Sequence, residues 1–260
     1  MITLNDYLYS GDTLLRILHN YSGDLRRDAR KSRNEIDLAH CNFLLQITEL
    51  LEHNDFLTAQ SQKIREFYKY MAREYPFLAF TFKGRIKSLI RAEEKFNGYI
   101  VEYIYDYHME HGTYPSVSEI KNRLTCFRDL IAYRIVISMP RCHLKSEQDR
   151  EKVEEKYLYE IANVLPAFLE VRGFTVESAR GIMESPSEFL RDEVRPYYRD
   201  YVAGKTPQDY RSLHITLYDN SSRCFMEVQL RTKSMDDVAE IGPANHLGYE
   251  KGQDEARARR

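Results

Sequence analysis

Apolar residues recur at three- and four-residue steps through the first third of this 260-residue chain. Ile36, Ala39, Phe43, Ile47, Leu50 and Leu51 form one such stripe. Asn54 and Asp55 offer a turn and a cap, and Ile64, Phe67, Tyr68 and Met71 form a second stripe that Pro76 ends. Residues 1–80 therefore read as a helical extension with no catalytic pattern, suited to packing on the rest of the chain or on a partner. A long helix is predicted from about Arg85 to Met109, ending near His111-Gly112 ahead of Tyr114-Pro115. Ser116 and Glu119 have the spacing of a capping box for another short helix.

From Asp129 the period changes. Residues 129–137 (DLIAYRIVI) are apolar on both parities, as in a central strand covered on both faces. A charged helix is expected over about 147–171, then a strand from Phe174. Residues 184–209, with three prolines and many charges, read as an irregular, solvent-facing connection. Two alternating strands come next. Leu213, Ile215 and Leu217 share one face, and Met226, Val228 and Leu230 share it on the return. The opposite face carries Tyr210, Ser212, His214, Glu227, Gln229 and Arg231. A four-residue loop at 219–222 sets His214 opposite Glu227, Ser212 opposite Gln229 and Tyr210 opposite Arg231. A last helix runs from about Ser234 to Gly248. The expected fold is α/β (α+β): a mixed sheet of about five strands flanked by helices, over 81–251, with 252–260 as a frayed tail.

Composition narrows the class. Hydrophobic residues make up 43% and charged residues 30%, as in a soluble globular protein. No stretch has the roughly 18 apolar residues of a membrane span, and the first residues lack a basic signal region, so a cytoplasmic location is expected. Cys41, Cys126, Cys142 and Cys224 are widely spaced, which points to reduced thiols rather than zinc or disulfides. A net charge of −2 leaves any phosphate binding to local cations.

Three patterns carry candidate chemistry. The polar hairpin face combines an imidazole, a carboxylate, a phenol and a guanidinium. Lys87, Arg91 and Lys95 fall at four-residue steps, one cationic stripe on a helix. Asp129 stands at the entrance of the buried strand, where a carboxylate is either a turn residue or a ligand for Mg²⁺. Each pattern alone also fits an ordinary solvated surface. The sequence has no P-loop, no GxGxxG and no His-Asp dipeptide.

In order along the chain, these segments resemble the synthetase domain of the RelA/SpoT family, which makes the guanosine alarmones pppGpp and ppGpp. The resemblance rests on Gly84-Arg-Ile-Lys87 with Lys95, on Phe127 through Arg134, and on Arg199-Asp-Tyr-Val-Ala203 through Tyr210-Arg-Ser-Leu-His214. It also rests on Glu227-Val-Gln-Leu-Arg-Thr232 and on Met235, Ala239-Glu240, Gly242 and His246. It implies a nucleotidyltransferase-like fold and an enzyme that moves the β,γ-diphosphate of ATP to the 3′-hydroxyl of GDP or GTP. Residue by residue, it implies that Arg85 and Arg134 sandwich the donor adenine while Lys87 and Lys95 hold the phosphates. Asp129 and Glu227 become the catalytic carboxylates and Mg²⁺ ligands, Glu227 also orienting or deprotonating the attacking hydroxyl. Tyr210 is expected to stack on the acceptor base, with His214, Lys205 and Arg199 around its sugar and phosphates; Arg91, Gln229 and Arg231 are secondary candidates. Strict alternation would separate Asp129 from Arg134, so Asp129 must precede regular strand geometry.

The chain departs from the family around the acceptor. The family usually reads N-P-K-x-N-G-Y-x-S-L-H, whereas residues 204–214 read GKTPQDYRSLH. Gln208-Asp209 replaces Asn-Gly, the lysine has moved to Lys205, and Arg91 replaces a serine. Hydrolase activity is not expected, because residues 1–80 are too short for that domain and lack its His-Asp pair. Alternatives for the acceptor are the 3′ end of tRNA, as in toxin-like relatives, or adenosine nucleotides. Arg26, Arg27, Arg30, Lys31 and Arg33 offer a basic patch for tRNA, although a solvated helix face explains them as well. An inactive nucleotide sensor is a further alternative, and homo-oligomerisation or a regulatory partner through the N-terminal helices is left open.

Overall fold

The computed structural model describes residues 4–8, 14–52, 54–86, 89–116, 118–120, 128–145, 149–179, 187–204, 206 and 209–241. They form two compact units, one of residues 1–59 and 87–127, the other of residues 60–86 and 128–260. The segment expected as an extension thus contributes to both.

The first unit is helical. It contains α1 (Asn5–Leu8), α2 (Leu14–Ser32), α3 (Glu35–Glu52), the start of α4 (Asn54–Glu74), α5 (Leu89–Phe96) and α6 (Glu102–His111). Asn34 caps α3, its Oδ1 accepting the Ile36 N–H at 3.0 Å. The predicted stripe on α3 is buried at Ala39, Phe43 and Ile47, beside Leu18, Tyr21 and Leu25 of α2. His40 stacks on Phe96 with ring centroids 4.3 Å apart, and its Nε2 lies 2.7 Å from Glu93 Oε1, tying α5 to α3. The cations from Arg26 to Arg33 are solvent-exposed, and Arg27 pairs with Asp24. A π-turn at Asn97–Val101 joins α5 to α6, and Gly112 ends α6 at φ 68°, as its place after His111 predicted. The capping box is formed: Glu119 Oε2 accepts the Ser116 N–H at 2.7 Å.

The long helix does not begin at Arg85. Residues Ala79–Ile86 are instead strand β1. The segment alternates Phe80, Phe82, Gly84 against Thr81, Lys83, Arg85, a period of two that the helical reading passed over. Here β1 lies antiparallel to β2 (Ile131–Ser138), with Gly84 opposite Tyr133. A Cβ on Gly84 would lie 2.9 Å from the Tyr133 ring, so only glycine permits this approach.

The described strands make one six-stranded sheet in the order β1-β2-β6-β5-β3, with β4 also on β5. The remaining strands are β3 (Phe174–Glu177), β4 (Tyr198–Asp200), β5 (Leu213–Asp219) and β6 (Cys224–Thr232). The β2–β6 pairing is parallel and the others are antiparallel. As predicted, β2 is central, with Ile131 through Ile137 all buried. Residues 184–209 are not wholly a solvent-facing connection, because Tyr198 and Asp200 of β4 are fully buried. A three-residue strand is too short to show a period.

One face of the sheet is apolar, with Leu213, Ile215, Leu217, Met226, Val228 and Leu230 buried on it. Helix α7 (Arg150–Glu170) covers it with Leu158, Ile161, Ala162, Leu165 and Leu169. The later part of α4 joins α7 through Phe67, whose ring centroid is 5.0 Å from that of Phe168. Full burial of one such side chain contributes about 1.5–3 kcal/mol. The stripe Ile64, Phe67 and Met71 is buried as its spacing predicted. Helix α8 (Lys233–Glu240) continues from β6, with Thr232 Oγ1 accepting the Met235 N–H at 3.3 Å.

Candidate active site on the polar face of the sheet

The second face of the same strands presents Lys83 on β1, Arg134 on β2, Glu227, Gln229 and Arg231 on β6, His214 on β5 and Arg199 on β4. The register aligns them: Lys83 is opposite Arg134, Arg134 opposite Gln229, Gln229 opposite His214, and His214 opposite Arg199.

The hairpin differs from prediction by two residues. His214 pairs with Gln229 and Thr216 with Glu227, and the loop is 220–223 rather than 219–222. The cause is Asp219, which stays in the strand and organises the turn. Its Oδ1 accepts the Ser221 N–H at 3.1 Å, its C=O accepts the Arg223 N–H at 2.8 Å, and Arg223 takes the left-handed φ of 56°. A shift of two preserves parity, so each residue keeps its predicted face. Tyr210 and Ser212 precede β5, yet still reach Arg231: its Nη2 donates to the Tyr210 hydroxyl at 2.6 Å and its Nε to Ser212 Oγ at 3.3 Å.

Glu227 is the hub, at 7% exposure. His214 Nδ1 lies 3.1 Å from its Oε1, and Gln229 Nε2 donates to Oε2 at 2.7 Å. Burial alone would raise its pKa, but His214, Gln229 and the charge of Arg199 outweigh burial and hold it well below the usual carboxylate range. Because an ionised carboxylate only accepts, His214 donates through Nδ1, leaving Nε2, 2.8 Å from the Tyr210 hydroxyl, as acceptor in the neutral ring. Burial pushes the Tyr210 phenol up, with Arg231 opposing. The Tyr210 ring packs edge-on to His214 and Tyr201, and the Arg231 guanidinium lies 5.1 Å from its centroid.

Arg134 is 8% exposed, donates through Nη1 to Asp236 Oδ1 at 3.0 Å and pairs ionically with Glu240 Oε1 at 2.7 Å. Its Nε finds no hydrogen-bond partner among the described residues. Asp129 stands two residues before β2, outside regular strand geometry, as its role would require. Ala132 is opposite Glu227, so Asp129 lies three residues before the position of β2 that faces Glu227. The adjacent Arg128 spans this end of the face, its guanidinium 4.6 Å from the Phe225 centroid and 2.5 Å from Glu177 Oε2.

The sheet therefore brings together Arg134, Arg199, Tyr210, His214, Glu227, Gln229 and Arg231. Lys87 and Lys205 lie outside the described residues. For Arg85, on β1, and for Arg91 and Lys95, on α5, the description stops at the backbone.

Asp209, which replaces the family's glycine, has φ 56°. This is the left-handed region, which aspartate tolerates better than most residues other than glycine.

Three further residues escaped the sequence reading. Lys83 shares the polar face of β1 and was hidden by the missed strand. Asp236 lies in the first turn of α8, where no local pattern marks an acid as buried. Asp200 is fully buried and accepts from the Tyr159 hydroxyl at 3.0 Å and from the backbone N–H groups of Val202, Ala203 and Ser187 at 2.9, 2.9 and 3.0 Å. It fixes the segment leading to Tyr210, and only its place in the Arg199–Ala203 block hinted at this.

Residues 101–254 match the family described as "Region found in RelA / SpoT proteins". A GTP pyrophosphokinase of Escherichia coli K12 is 36% identical over 75 residues, 29% of this chain and 9% of that protein. The GTP pyrophosphokinase rsh of Brucella ovis is 42% identical over 52 residues, 20% of this chain and 7% of that protein. The matches thus span less than a tenth of the length of these relatives. Among solved structures, small alarmone synthetase 2 of Bacillus subtilis aligns over 79% of this chain and 80% of its own, at 20% identity and a TM-score of 0.39. With the family match covering more than half of its length, from α6 through the polar face of the sheet to beyond α8, this chain belongs to the RelA/SpoT family.

Proposed function

We propose that the chain is a nucleotide pyrophosphokinase, transferring the β,γ-diphosphate of ATP to the 3′-hydroxyl of GDP or GTP. The observation that carries this reading is the buried, ionised Glu227 at the centre of a face shared with Arg134, Arg231, His214 and Tyr210. Diphosphate transfer consists mainly of positioning and of neutralising spreading negative charge. Arg134, whose buried Nε has no partner among the described residues, has a donor for an incoming nucleotide. Glu227 orients the attacking hydroxyl by accepting its hydrogen bond, and Tyr210 with His214 holds the acceptor beside it. Holding both reactants converts a bimolecular encounter into an oriented one.

Asp129 and Glu227 are the residues that would hold Mg²⁺. Two hard carboxylates fit an ion that takes one or two of them and fills its remaining positions with water and phosphate oxygens. Bound there, Mg²⁺ would neutralise charge on the phosphates.

No helix among the described residues is long and apolar enough to cross a membrane. The test is product analysis with γ-labelled ATP and, separately, GDP, GTP, ATP and bulk tRNA. Label on GDP or GTP is expected. Label on tRNA or ATP alone would replace the acceptor assignment, and nucleotide binding without any transfer would replace enzyme with sensor.

A further inference from the structure

Helix α8 places one buried carboxylate, Asp236, against cations from both sides of the polar face. A single oxygen, Oδ1, accepts from Arg134 Nη1 at 3.0 Å and from Arg231 Nη1 at 3.3 Å. The other, Oδ2, accepts from Lys83 Nζ at 3.4 Å. Arg134 stands on the donor side. Arg231 belongs to the acceptor side, donating through Nη2 to the Tyr210 hydroxyl and, at 3.2 Å, to Gln229 Oε1. This second bond also fixes the Gln229 amide, whose Nε2 then points at Glu227. Asp236 is 5% exposed and both arginines are similarly enclosed, so the pairing is little screened by solvent. Glu240 is different: it is half-exposed, meets Arg134 at 2.7 Å, and reaches Arg231 only at 4.0 Å.

We infer that Asp236 is a positioning residue that locks the donor-side Arg134 and the acceptor-side Arg231 into one frame, so that both nucleotides depend on one carboxylate that touches neither. This rests on the pyrophosphokinase reading. Without Asp236, two buried guanidiniums lose a shared acceptor, Arg231 no longer fixes Tyr210 and Gln229, and Arg134 is steered by the half-exposed Glu240 alone. Three cations meet two carboxylates in this cluster, so it keeps positive charge for phosphate oxygens after Asp236 has been satisfied.

The test is calorimetric titration of the whole chain with a nonhydrolysable ATP analogue and, separately, with GDP. Wild type is compared with Asp236→Asn, which keeps the shape and one oxygen, and with Glu240→Gln. Asp236→Asn is expected to weaken both ligands by about tenfold, and Glu240→Gln to weaken the analogue alone. Thermal unfolding verifies that each variant is folded, and Asp236→Glu provides a second variant if the asparagine does not fold. Weakening of one ligand only, or unchanged affinities, would overturn the inference. So would tighter analogue binding, which would mean that Asp236 competes with phosphate for the arginines. The pyrophosphokinase reading fails separately, if wild type binds both ligands but transfers no label.

Discussion

The two faces of the sheet come from the same strands, yet they are held by different forces. The apolar face is satisfied by area: Leu213, Ile215, Met226, Val228 and Leu230 meet the leucines of α7, and no partner is individually decisive. The polar face is satisfied by reciprocity: Glu227 needs His214 and Gln229, and Asp236 needs Arg134 and Arg231. Each face also holds a buried carboxylate, and the two are unlike. Asp200 lies with the apolar side and is met by a phenol and backbone N–H groups, the setting of a structural anchor. Glu227 is met by side chains alone, among cations that a nucleotide can share. Burial of an acid is therefore no guide to its role; its partners are.

That contrast is open to direct attack. Glu227→Gln should lower transfer by about 10²–10⁴-fold while unfolding remains cooperative, read by single-turnover kinetics alongside thermal melts. Turnover like wild type would remove Glu227 from the chemistry. Asp200→Ala should do the reverse. It leaves a phenol and three backbone N–H groups unpaired, and should cost about 3 kcal/mol of stability by urea unfolding, with any loss of activity tracking the folded fraction.

Acid should separate the two faces a third way. The folded-state pKa of Glu227 is depressed below its ordinary 4.5, so its contribution to stability is complete above that value and is lost as pH falls through the folded one. Urea midpoints measured from pH 6 down to pH 3 should fall for wild type and fall less for Glu227→Gln. Equal slopes would contradict the ion-pair account. The smallest effect is expected at Asp209, where φ is 56°. Asp209→Gly should stabilise the fold by about 0.5 kcal/mol by relieving the left-handed backbone, partly offset by the freer unfolded chain.

Most of the fold could be read from the sequence wherever a period persisted. The stripes on α3 and α4, the doubly covered β2 and the two-faced hairpin all come from it. Alternation fixes which face a residue takes, and so the polar set survived a two-residue error in register. What failed was local. The strand Ala79–Ile86 was missed, its last two residues falling in the predicted basic helix and the rest at the junction of two helical segments. Three residues of β4 were too few to show a period. Turn chemistry at Asp219, rather than the count of loop residues, chose the pairing. In the site, residues carried by motifs were legible. Asp236 and Lys83 were not, because their importance lies in a meeting of β1, β2, β6 and α8 that no local pattern records.

The most direct test of the account is a structure of the protein with a nonhydrolysable ATP analogue and Mg²⁺. It should place the nucleotide on the polar face, with Arg134 against it and the metal between its phosphates and the carboxylates of Asp129 and Glu227. A nucleotide seated anywhere else, with the network around Glu227 and Asp236 unaltered, would contradict it.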